Sequence, residues 1–414
     1  MSTAPAKKSV MHLLQEFSIP LIVGVIAGIV AANIDYDSYH HWVDYQVGSW
    51  SIFGHKVTIH YLINDIFMVF FFGIAAKEIT ESVLPGGDLN PPSKAINPLL
   101  GTLGGVFGPV GVYLLMSHWL YPGNTAVAHG WGIPTATDIA LAWLVARMIF
   151  GNKHPAVSFL LLLAVADDAS GLGIIAVAYP KQAPDVMQLL YWTVPGMLLA
   201  YGLRKKGVNS WFPYILFGGT LSWVGLSLAH LHPALALVVI VPFIPGPTRD
   251  TGLYEKSDET DEEHRAEAAG HPVEEHHDHS PLHMFEHNLK LPVDLGLFFF
   301  GFANAGVEFS SMNNVTWIVL ASLIVGKMLG IFLFSWVGTK AGFPLPKGMG
   351  NGHLVVAGIV AGLGLTVALF VAGEAFKGTP EFMGPAKMGA VFSAGAVVVA
   401  FLAAKLLGVK KQED

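Results

Sequence analysis

Four charged residues lie inside long apolar stretches of this sequence, where charge is costly. Asp138, Asp167, Asp168 and Lys327 each fall well within a run of mainly hydrophobic residues. A charge at the centre of a bilayer costs about 2.5–3.5 kcal/mol on insertion scales. Together the four would oppose insertion by on the order of 10 kcal/mol. They must therefore pair with one another, face a water-filled cavity, or both.

The adjacent pair Asp167 and Asp168, in LLLLAVADDASGLGIIAVAY, carries the strongest chemical signal. Neighbours on a helix point about 100° apart, so the two carboxylates can line two sides of a cavity or converge on one ion. Close carboxylates resist simultaneous ionisation and titrate as a unit. Sodium prefers oxygen ligands and competes with protons for them, which is the minimal mechanism of exchange. The alternative is a structural pair held by helix-end hydrogen bonds, which poor helix propensity and insertion cost disfavour.

Asp138 follows residues that weaken the continuity of a helix. Pro134, Thr135 and Thr137 precede it in GWGIPTATDIALAWLVARMIFG. An unwound segment there would offer carbonyl and hydroxyl oxygens to a cavity, the setting in which such backbone is tolerated at membrane depth. The alternative places Asp138 near the surface, as the N-cap of a short helix.

Lys327 lies about half-way along its apolar stretch, VLASLIVGKMLGIFLFSWVG. Gly326 and Gly330 form a pair of small residues that would let a neighbouring helix come close to the ammonium. We therefore expect Lys327 to pair with an aspartate, with snorkelling to the membrane surface as the alternative. The run GIVAGLGLTVALF, which includes Thr366, predicts a second interrupted helix, and two interrupted helices point to a binding site.

Composition indicates that lipid is the solvent for most of the chain. Its 414 residues are 53% hydrophobic and 13% charged, against about 25% charged in soluble domains, and the mean hydropathy is +0.53. There is no cysteine, which excludes disulfides, iron–sulfur clusters and thiol nucleophiles.

Twelve spanning helices are predicted, because each needs roughly 20 mainly apolar residues. The segments lie near 12–33, 61–81, 96–118, 134–150, 155–179, 187–203, 211–229, 233–245, 291–310, 316–338, 351–373 and 386–408. With both termini on one side, that side holds most of the 23 Lys and Arg residues. The opposite side holds only Lys56, Lys181, Lys377 and Lys387, so the positive-inside rule predicts cytoplasmic termini.

An acidic, histidine-rich linker at 246–290 divides the chain into helices 1–8, within 12–245, and helices 9–12, within 291–408. Its apolar content is too low to bury a core, so we expect disorder over much of 250–278. Its histidines could bind Zn²⁺, Ni²⁺ or Cu²⁺ weakly, but no regular ligand spacing is present and a solvated linker is favoured. These histidines are His264, His271, His276, His277, His279, His283 and His287.

Six stretches, taken in order, resemble the NhaA-type sodium/proton antiporter family. They are LINDIFMVFFFGIAAKEI, GIPTATDIALA, LLLAVADDASGL, FANAGV, LIVGKMLGI and AGLGLTVALF. The resemblance covers most of 12–405. It implies an all-α integral membrane fold of about twelve transmembrane helices, with two inverted repeats and two broken, crossing helices.

The resemblance also implies a function and a set of residue roles. The function is electrogenic, pH-regulated exchange of Na+ or Li+ for H+ by alternating access, in a bacterial cytoplasmic (inner) membrane. It implies no enzymatic activity, no cofactor and no nucleic-acid partner, and it makes a homodimer a candidate assembly. Ion and proton binding fall to Asp167 and Asp168, the Na+ ligands, with Asp138 and Thr137 in the broken-helix site. Lys327 would pair with an aspartate and couple to protons.

The pH-regulating residues implied by the resemblance are Glu78, Glu286 and His287. Histidine suits such a role because its charge changes near physiological pH. Two positions depart from the family pattern: Glu81 stands where a basic residue is frequent, and Lys290 stands in place of a histidine. The pH set-point is therefore expected to differ, or the regulation to be absent.

Three other functions could use the same residues. A cation channel would need a continuous pore, which broken, crossed helices disfavour. A sodium-coupled solute symporter on a related architecture would take up a solute when sodium is added, instead of dissipating a pH gradient. An intramembrane aspartyl protease could use Asp138 and Asp167, but neither lies in a GxGD-type sequence and Lys327 would have no role.

Overall fold

A computed structural model describes residues 18–84, 92–180, 182–246 and 280–412. The disorder predicted over 250–278, and all of the linker histidines except His283 and His287, lie outside these residues. The described chain is mainly helical. Its strands are β1 (Gln46–Ile52) and β2 (His55–Thr58), which pair as an antiparallel hairpin.

The helices follow one another along the described residues. In order they are α1 (Ile19–Ile34), α2 (Tyr36–Val43), α3 (Ile59–Val83), α4 (Pro92–Leu120), α5 (Thr125–Thr135), α6 (Ile139–Phe150), α7 (Pro155–Ala178), α8 (Val186–Lys205), α9 (Tyr214–Leu228), α10 (Pro281–Ala305), α11 (Asn314–Lys340), α12 (Asn351–Val360), α13 (Leu365–Ala375) and α14 (Pro380–Leu406). A short π-helical segment lies within α3, α8 and α11, and another opens α9. Such segments are frequent at functional sites, and the one in α11 ends immediately before Lys327.

Several helices are long and apolar enough to cross a membrane. Within the residues that the structure describes, six pass on length and composition: α3, α4, α7, α8, α11 and α14. Two more candidate spans are bent pairs, α5 with α6 at 54° and α12 with α13 at 52°. The chain is therefore a multi-pass helical membrane protein, with up to eight such spans among the residues that the structure describes. The count of twelve stays a prediction.

Two predicted segments take a different form in the structure. The segment at 233–245 forms two 3-10 turns, Pro233–Leu235 and Val241–Phe243, in place of one α-helix. Each turn begins at or beside a proline, which supplies no backbone N–H for a continuous helix. Helix α10 starts inside the range predicted for the linker. Its first turns bury Leu282 and Phe285 in the protein interior. The polar residues around these two had led to the prediction that the segment is linker.

The chain forms two compact units. The first holds the described parts of 1–67, 97–179 and 291–414. The second holds the described parts of 68–96 and 180–290, with most of α3, α8, α9 and the start of α10. All four of the charges that the sequence places inside apolar stretches belong to the first unit.

In the first unit, α4 and α11 cross at glycines. A Cβ atom built on Gly104 would lie 2.1 Å from the carbonyl oxygen of Gly330, and one built on Gly108 would lie 2.3 Å from that of Gly326. Backbone therefore occupies the space that side chains would need, as expected for small residues at a helix crossing. The crossing brings α4 against the part of α11 that carries Lys327.

We expect Gly104→Ala to destabilise the protein by about 1–3 kcal/mol, because a methyl group cannot displace helical backbone without strain. The measurement is the midpoint of thermal unfolding of the purified protein in detergent. Gly111→Ala is the control, since its added Cβ on the same helix meets nothing within 4 Å, and its midpoint should match the wild type. Equal midpoints for the two variants would contradict the close packing.

Candidate functional site

The two bent helix pairs cross at their breaks. Between α5 and α6 the backbone is extended at Ala136 and Asp138, and the Asp138 N–H donates to the carbonyl oxygen of Leu363 at 2.6 Å. Leu363 lies in the break between α12 and α13. The hydroxyl oxygen of Thr137 lies 2.9 Å from the carbonyl oxygen of Ala361, in the same break. Each break thus supplies hydrogen-bond partners for the other, as unwound backbone inside a membrane requires.

Lys327 and Asp167 form an ion pair at this crossing, and both side chains are completely buried. The Lys327 ammonium also donates to the carbonyl oxygen of Thr135 at 2.9 Å and to the hydroxyl oxygen of Thr137 at 2.8 Å. Oδ2 of Asp167, which accepts from the ammonium, lies 2.7 Å from the same hydroxyl oxygen. The three N–H donors of the ammonium therefore meet three oxygens, two of which come from the broken pair α5–α6.

Helix ends compensate the buried charges. Helix α5 ends at Thr135, whose carbonyl belongs to the negative end of the helix dipole, and this is the carbonyl to which Lys327 donates. Asp138 lies at the positive end of α6, where its Oδ1 accepts the N–H of Leu141 at 3.2 Å. Its Oδ2 accepts the hydroxyl of Thr366, in the first turn of α13, at 3.0 Å. A cation and an anion each occupy the helix end that favours them.

Asp138 combines features of the two hypotheses drawn from the sequence. It is an N-cap, as one hypothesis proposed, but it is 5% exposed and lies at the crossing of the breaks. It is therefore not near the surface. Its partner Thr366 stood in the predicted second break, but nothing in the sequence indicated the contact, because the two residues are 228 positions apart.

The two adjacent aspartates occupy different surroundings. Asp167 is fully buried, whereas Asp168 is partly exposed. Lys327 and Thr137 approach one oxygen of Asp167, while its Oδ1 has no hydrogen-bond partner among the described residues. The Asp168 carboxylate also attracts the Lys327 ammonium electrostatically. A cation that reaches Asp167 would thus find an unoccupied carboxylate oxygen and a second carboxylate in the next residue.

A second cluster of charges lies in the second unit, on α3 and the first turns of α10. Lys77 is buried, and its ammonium lies 2.6 Å from the Glu81 carboxylate and forms an ion pair with Glu286. Lys290, which is half-exposed, approaches Glu286 at 3.6 Å. Glu78 is half-buried beside Lys77 on the same helix. The buried Lys77 therefore forms ion pairs with two of the three glutamates, Glu81 and Glu286.

Lys77 is the functional candidate that the sequence analysis missed. Glu81 stands where the resembled family often has a basic residue, and Lys77 provides a cation one helical turn earlier. The signal was present, because a lysine and a glutamate four positions apart lie on the same face of a helix. His287 is exposed, and its ring centroid lies 6.3 Å from that of His283.

The described residues contain no group of three or more His, Cys, Asp or Glu side chains placed to hold a metal ion. The weak metal binding considered for the linker concerns histidines that mostly lie outside this part of the chain.

Comparison with known proteins identifies the family of the chain. The profile of the Na+/H+ antiporter 1 family matches residues 8–408. The chain belongs to this family. The Na(+)/H(+) antiporter NhaA of Geotalea uraniireducens (strain Rf4) is 55% identical over 97% of this chain and 98% of its own length. The protein of the same name from Desulfitobacterium hafniense (strain DSM 10664 / DCB-2) is 55% identical over 99% of this chain and 98% of its own.

A solved structure supports the fold of this Na+/H+ antiporter family member. The sodium proton antiporter MjNhaP1 from Methanocaldococcus jannaschii matches with a TM-score of 0.52, covering 95% of this chain and 92% of that one. Sequence identity is 14%, so the likeness concerns the fold alone. The predicted membership of an antiporter family is confirmed, and the family is one of transporters.

We expect Lys327→Met to lower stability by about 3–5 kcal/mol, because Asp167 would remain as a buried charge without its partner. The double variant Lys327→Met/Asp167→Asn removes both charges and should recover most of that loss. Thermal unfolding of the purified proteins in detergent measures both effects. A double variant no more stable than the single one would show that the ion pair does not support the crossing.

Proposed function

We propose that this chain exchanges Na+ or Li+ for H+ by alternating access across a bacterial cytoplasmic membrane. The observation that carries the proposal is the buried ion pair of Lys327 and Asp167 at the crossing of two broken helices. Relatives that are 55% identical over nearly the whole chain are named Na(+)/H(+) antiporters, which supports the same activity here.

In this proposal, oxygens around the crossing hold the transported cation. Asp167 and Asp168 supply carboxylates, and Asp138 and Thr137 contribute from the α5–α6 break. Carbonyl groups of unwound segments and the ends of half-helices are the places where transporters coordinate sodium. The support is geometric: Thr137 already lies 2.7 Å from the Asp167 carboxylate, and Asp138 follows it in the chain.

Competition at Asp167 links sodium to protons. Without sodium, the Lys327 ammonium neutralises this carboxylate. A sodium ion that binds Asp167 replaces the ammonium, which would then be a buried charge without a partner. Such a charge is costly in a low-dielectric interior, so Lys327 gives up its proton as sodium binds. Binding protons restores the ion pair and expels sodium.

Electrogenic exchange follows when Asp168 also gives up a proton to bind sodium. Two protons then leave the site for each sodium ion that enters, and one net charge crosses the membrane in each cycle. A charge that crosses the membrane is worth about 2.3 kcal/mol per 100 mV. The membrane potential therefore adds to the pH gradient in driving sodium out.

The proposed architecture has twelve transmembrane helices in two inverted repeats, and both termini are cytoplasmic. Helices 1–8 lie within 12–245, a cytoplasmic linker follows at 246–290, and helices 9–12 lie within 291–408. The two bent pairs support this arrangement, because they bend by similar angles, 54° and 52°, and lie in different parts of the chain. The family resemblance also suggests a homodimer.

We assign pH regulation to Glu78 and Glu286, together with the neighbouring Lys77 and Glu81. Carboxylates that share one buried cation respond jointly to protonation, because neutralising one changes the field at the others. His287, which the family resemblance adds to this set, lies on the exposed face of α10. The ion pairs of Lys77 with Glu81 and Glu286 support the assignment.

Asp168→Asn is expected to abolish the collapse of a pH gradient that Na+ or Li+ evokes in everted membrane vesicles, because the site loses a negative charge and a titratable group. Asp185→Asn, at an exposed aspartate that caps α8, is the control and should transport normally. Full activity of Asp168→Asn would refute the site assignment. Sodium flux independent of protons would indicate a channel, and sodium-driven solute uptake a symporter.

Lys77→Met is expected to move the pH profile of exchange toward alkaline pH by up to about one unit, which corresponds to 1.36 kcal/mol. The reason is that carboxylates deprived of a neighbouring cation hold protons more tightly. Rates of Na+-evoked pH-gradient collapse between pH 6 and 9 measure the shift. Lys290→Met, at a half-exposed lysine 3.6 Å from Glu286, should shift the profile less. Superimposable profiles for both variants and wild type would rule out regulation by this cluster.

A further inference from the structure

Three helices of the ion site meet again at a cluster of aromatic rings, at the ends that point away from the crossing. The rings belong to Phe150 at the end of α6, His154 immediately before α7 and His353 in the first turn of α12. The imidazoles of His154 and His353 are stacked, with ring centroids 4.8 Å apart and planes 16° from parallel. Phe150 stacks on His154 at 5.6 Å and lies 6.1 Å from His353. We call these three residues the ring cluster.

Each of these helices leads from the ring cluster to the crossing, and all three belong to the first unit. Helix α6 has 12 residues and begins directly after Asp138. Helix α7 reaches Asp167 12 residues after its start, and α12 has 10 residues and ends directly before Ala361. At 1.5 Å per residue, the cluster lies about 15–18 Å from the ion site along each helix. It therefore joins the far ends of the elements that carry Asp138, Asp167 and the second break.

Both imidazoles accept a backbone N–H through Nδ1. Nδ1 of His154 accepts the N–H of Ala156 at 3.1 Å, and Nδ1 of His353 accepts the N–H of Gly350 at 3.2 Å. A backbone N–H can only donate, so each Nδ1 carries no proton and each ring is neutral. The two bonds satisfy N–H groups at the starts of α7 and α12, where the helix itself supplies no acceptor.

Protonation of these rings opposes the arrangement in three ways. A proton on Nδ1 would set two donors against each other, so a helix start would lose its acceptor. The new positive charge would lie at the positive end of a helix dipole. If both rings were charged, two cations would be stacked 4.8 Å apart and would repel each other. The stack and both hydrogen bonds therefore exist only while the two histidines are neutral.

The charged residues of the neighbouring segments also oppose protonation. Residues 147–158, 340–353 and 405–412 contain no Asp or Glu, and they lie on the membrane face that the charge distribution predicts to be cytoplasmic. Burial lowers the pKa of His154, and the imidazole of His353 lowers it further. His154 is therefore neutral above the ordinary histidine value of about 6.5, and takes up a proton only below it. The basic residues of these segments are Arg147, Lys153, Lys340, Lys347, Lys405, Lys410 and Lys411.

We propose that the stacked pair of His154 and His353 is a second pH-sensing element, which stops exchange when the cytoplasm becomes acidic. The inference rests on the proposed Na+/H+ exchange, and it adds a control that acts on the helices of the ion site. The neutral pair holds the starts of α7 and α12 together. Protonation separates them, which moves Asp167 on α7 relative to the break after α12. Exchange brings protons into the cell, so stopping it in acid limits further acidification.

The double variant His154→Asn/His353→Asn tests the proposal, because Oδ1 of asparagine can replace Nδ1 as an acceptor but does not titrate. Everted vesicles expose the predicted cytoplasmic face to the medium, whose pH then sets the state of the pair. We expect the rate of Na+-evoked pH-gradient collapse at about pH 8 to match the wild type. The acid limb of the pH profile should move to lower pH by about half a unit or more, because the pair no longer titrates below about 6.5. His118→Asn, at an exposed histidine of α4, is the control and should leave the profile unchanged.

A distance measurement tests the same pair without transport. The chain has no cysteine, so spin labels on Lys153→Cys and Lys347→Cys report only the separation of the segments that precede α7 and α12. These segments are in contact, since a Cβ atom built on Gly348 would lie 3.6 Å from Cγ of Pro155. Both labelled positions are exposed. We expect the separation to increase as the pH falls through about 6.5, and to stay constant when the two asparagines replace the histidines.

The outcomes separate failure of this pair from failure of the proposed function. An acid limb that stays at its wild-type position in the double variant would overturn the proposal, as would a label separation that does not depend on pH. If the double variant does not fold, His353→Asn alone provides the test, because it leaves the bond from His154 to α7 intact, and its acid limb should move in the same direction. Wild-type protein that shows no Na+-dependent pH-gradient collapse would overturn the proposed function, and with it the role of the pair in exchange.

Discussion

The cost of placing a lysine and an aspartate in the membrane interior governs the organisation of the first unit. Lys327 and Asp167 are both fully buried, and the pair is tolerated only because every donor of the ammonium finds an oxygen. Two of those oxygens are available because α5 ends at Thr135, which leaves the Thr135 carbonyl and the Thr137 hydroxyl outside a continuous helix. The buried Lys327 ammonium thus needs the break after α5 for its hydrogen bonds, and these bonds in turn stabilise the break.

The same requirement explains why glycines gather around the ion pair. Helix α11 can bring Lys327 to the crossing only if it packs closely on its neighbours. Gly326 and Gly330 allow contact with the backbone of α4, and Gly358 allows contact with the backbone of α11 at Met328. Close backbone packing without large side chains makes the surroundings of the pair rigid.

The two charge clusters of the chain are built in the same way, although they lie in different units. In each, a buried lysine holds a carboxylate from another helix: Lys327 with Asp167 in the first unit, and Lys77 with Glu286 in the second. Removing either cation would leave an uncompensated carboxylate, so each cluster links proton binding to the packing of its own helices. An exchanger needs this coupling at its ion-binding site. A pH-dependent control of exchange would need the same coupling at a separate cluster.

Sequence alone predicts the membrane class, the intramembrane charges, the positions of both helix breaks and the family, because apolar runs, prolines, glycines and insertion costs are local properties. It predicted that Lys327 pairs with an aspartate, and left open which one. The folded structure shows that this partner is Asp167, that Asp138 accepts a hydrogen bond from Thr366, and that Lys77 forms an ion pair with Glu286. These contacts join residues 160, 228 and 209 positions apart. They depend on the rotation of each helix about its axis and on which helices pack together, and no local pattern specifies either.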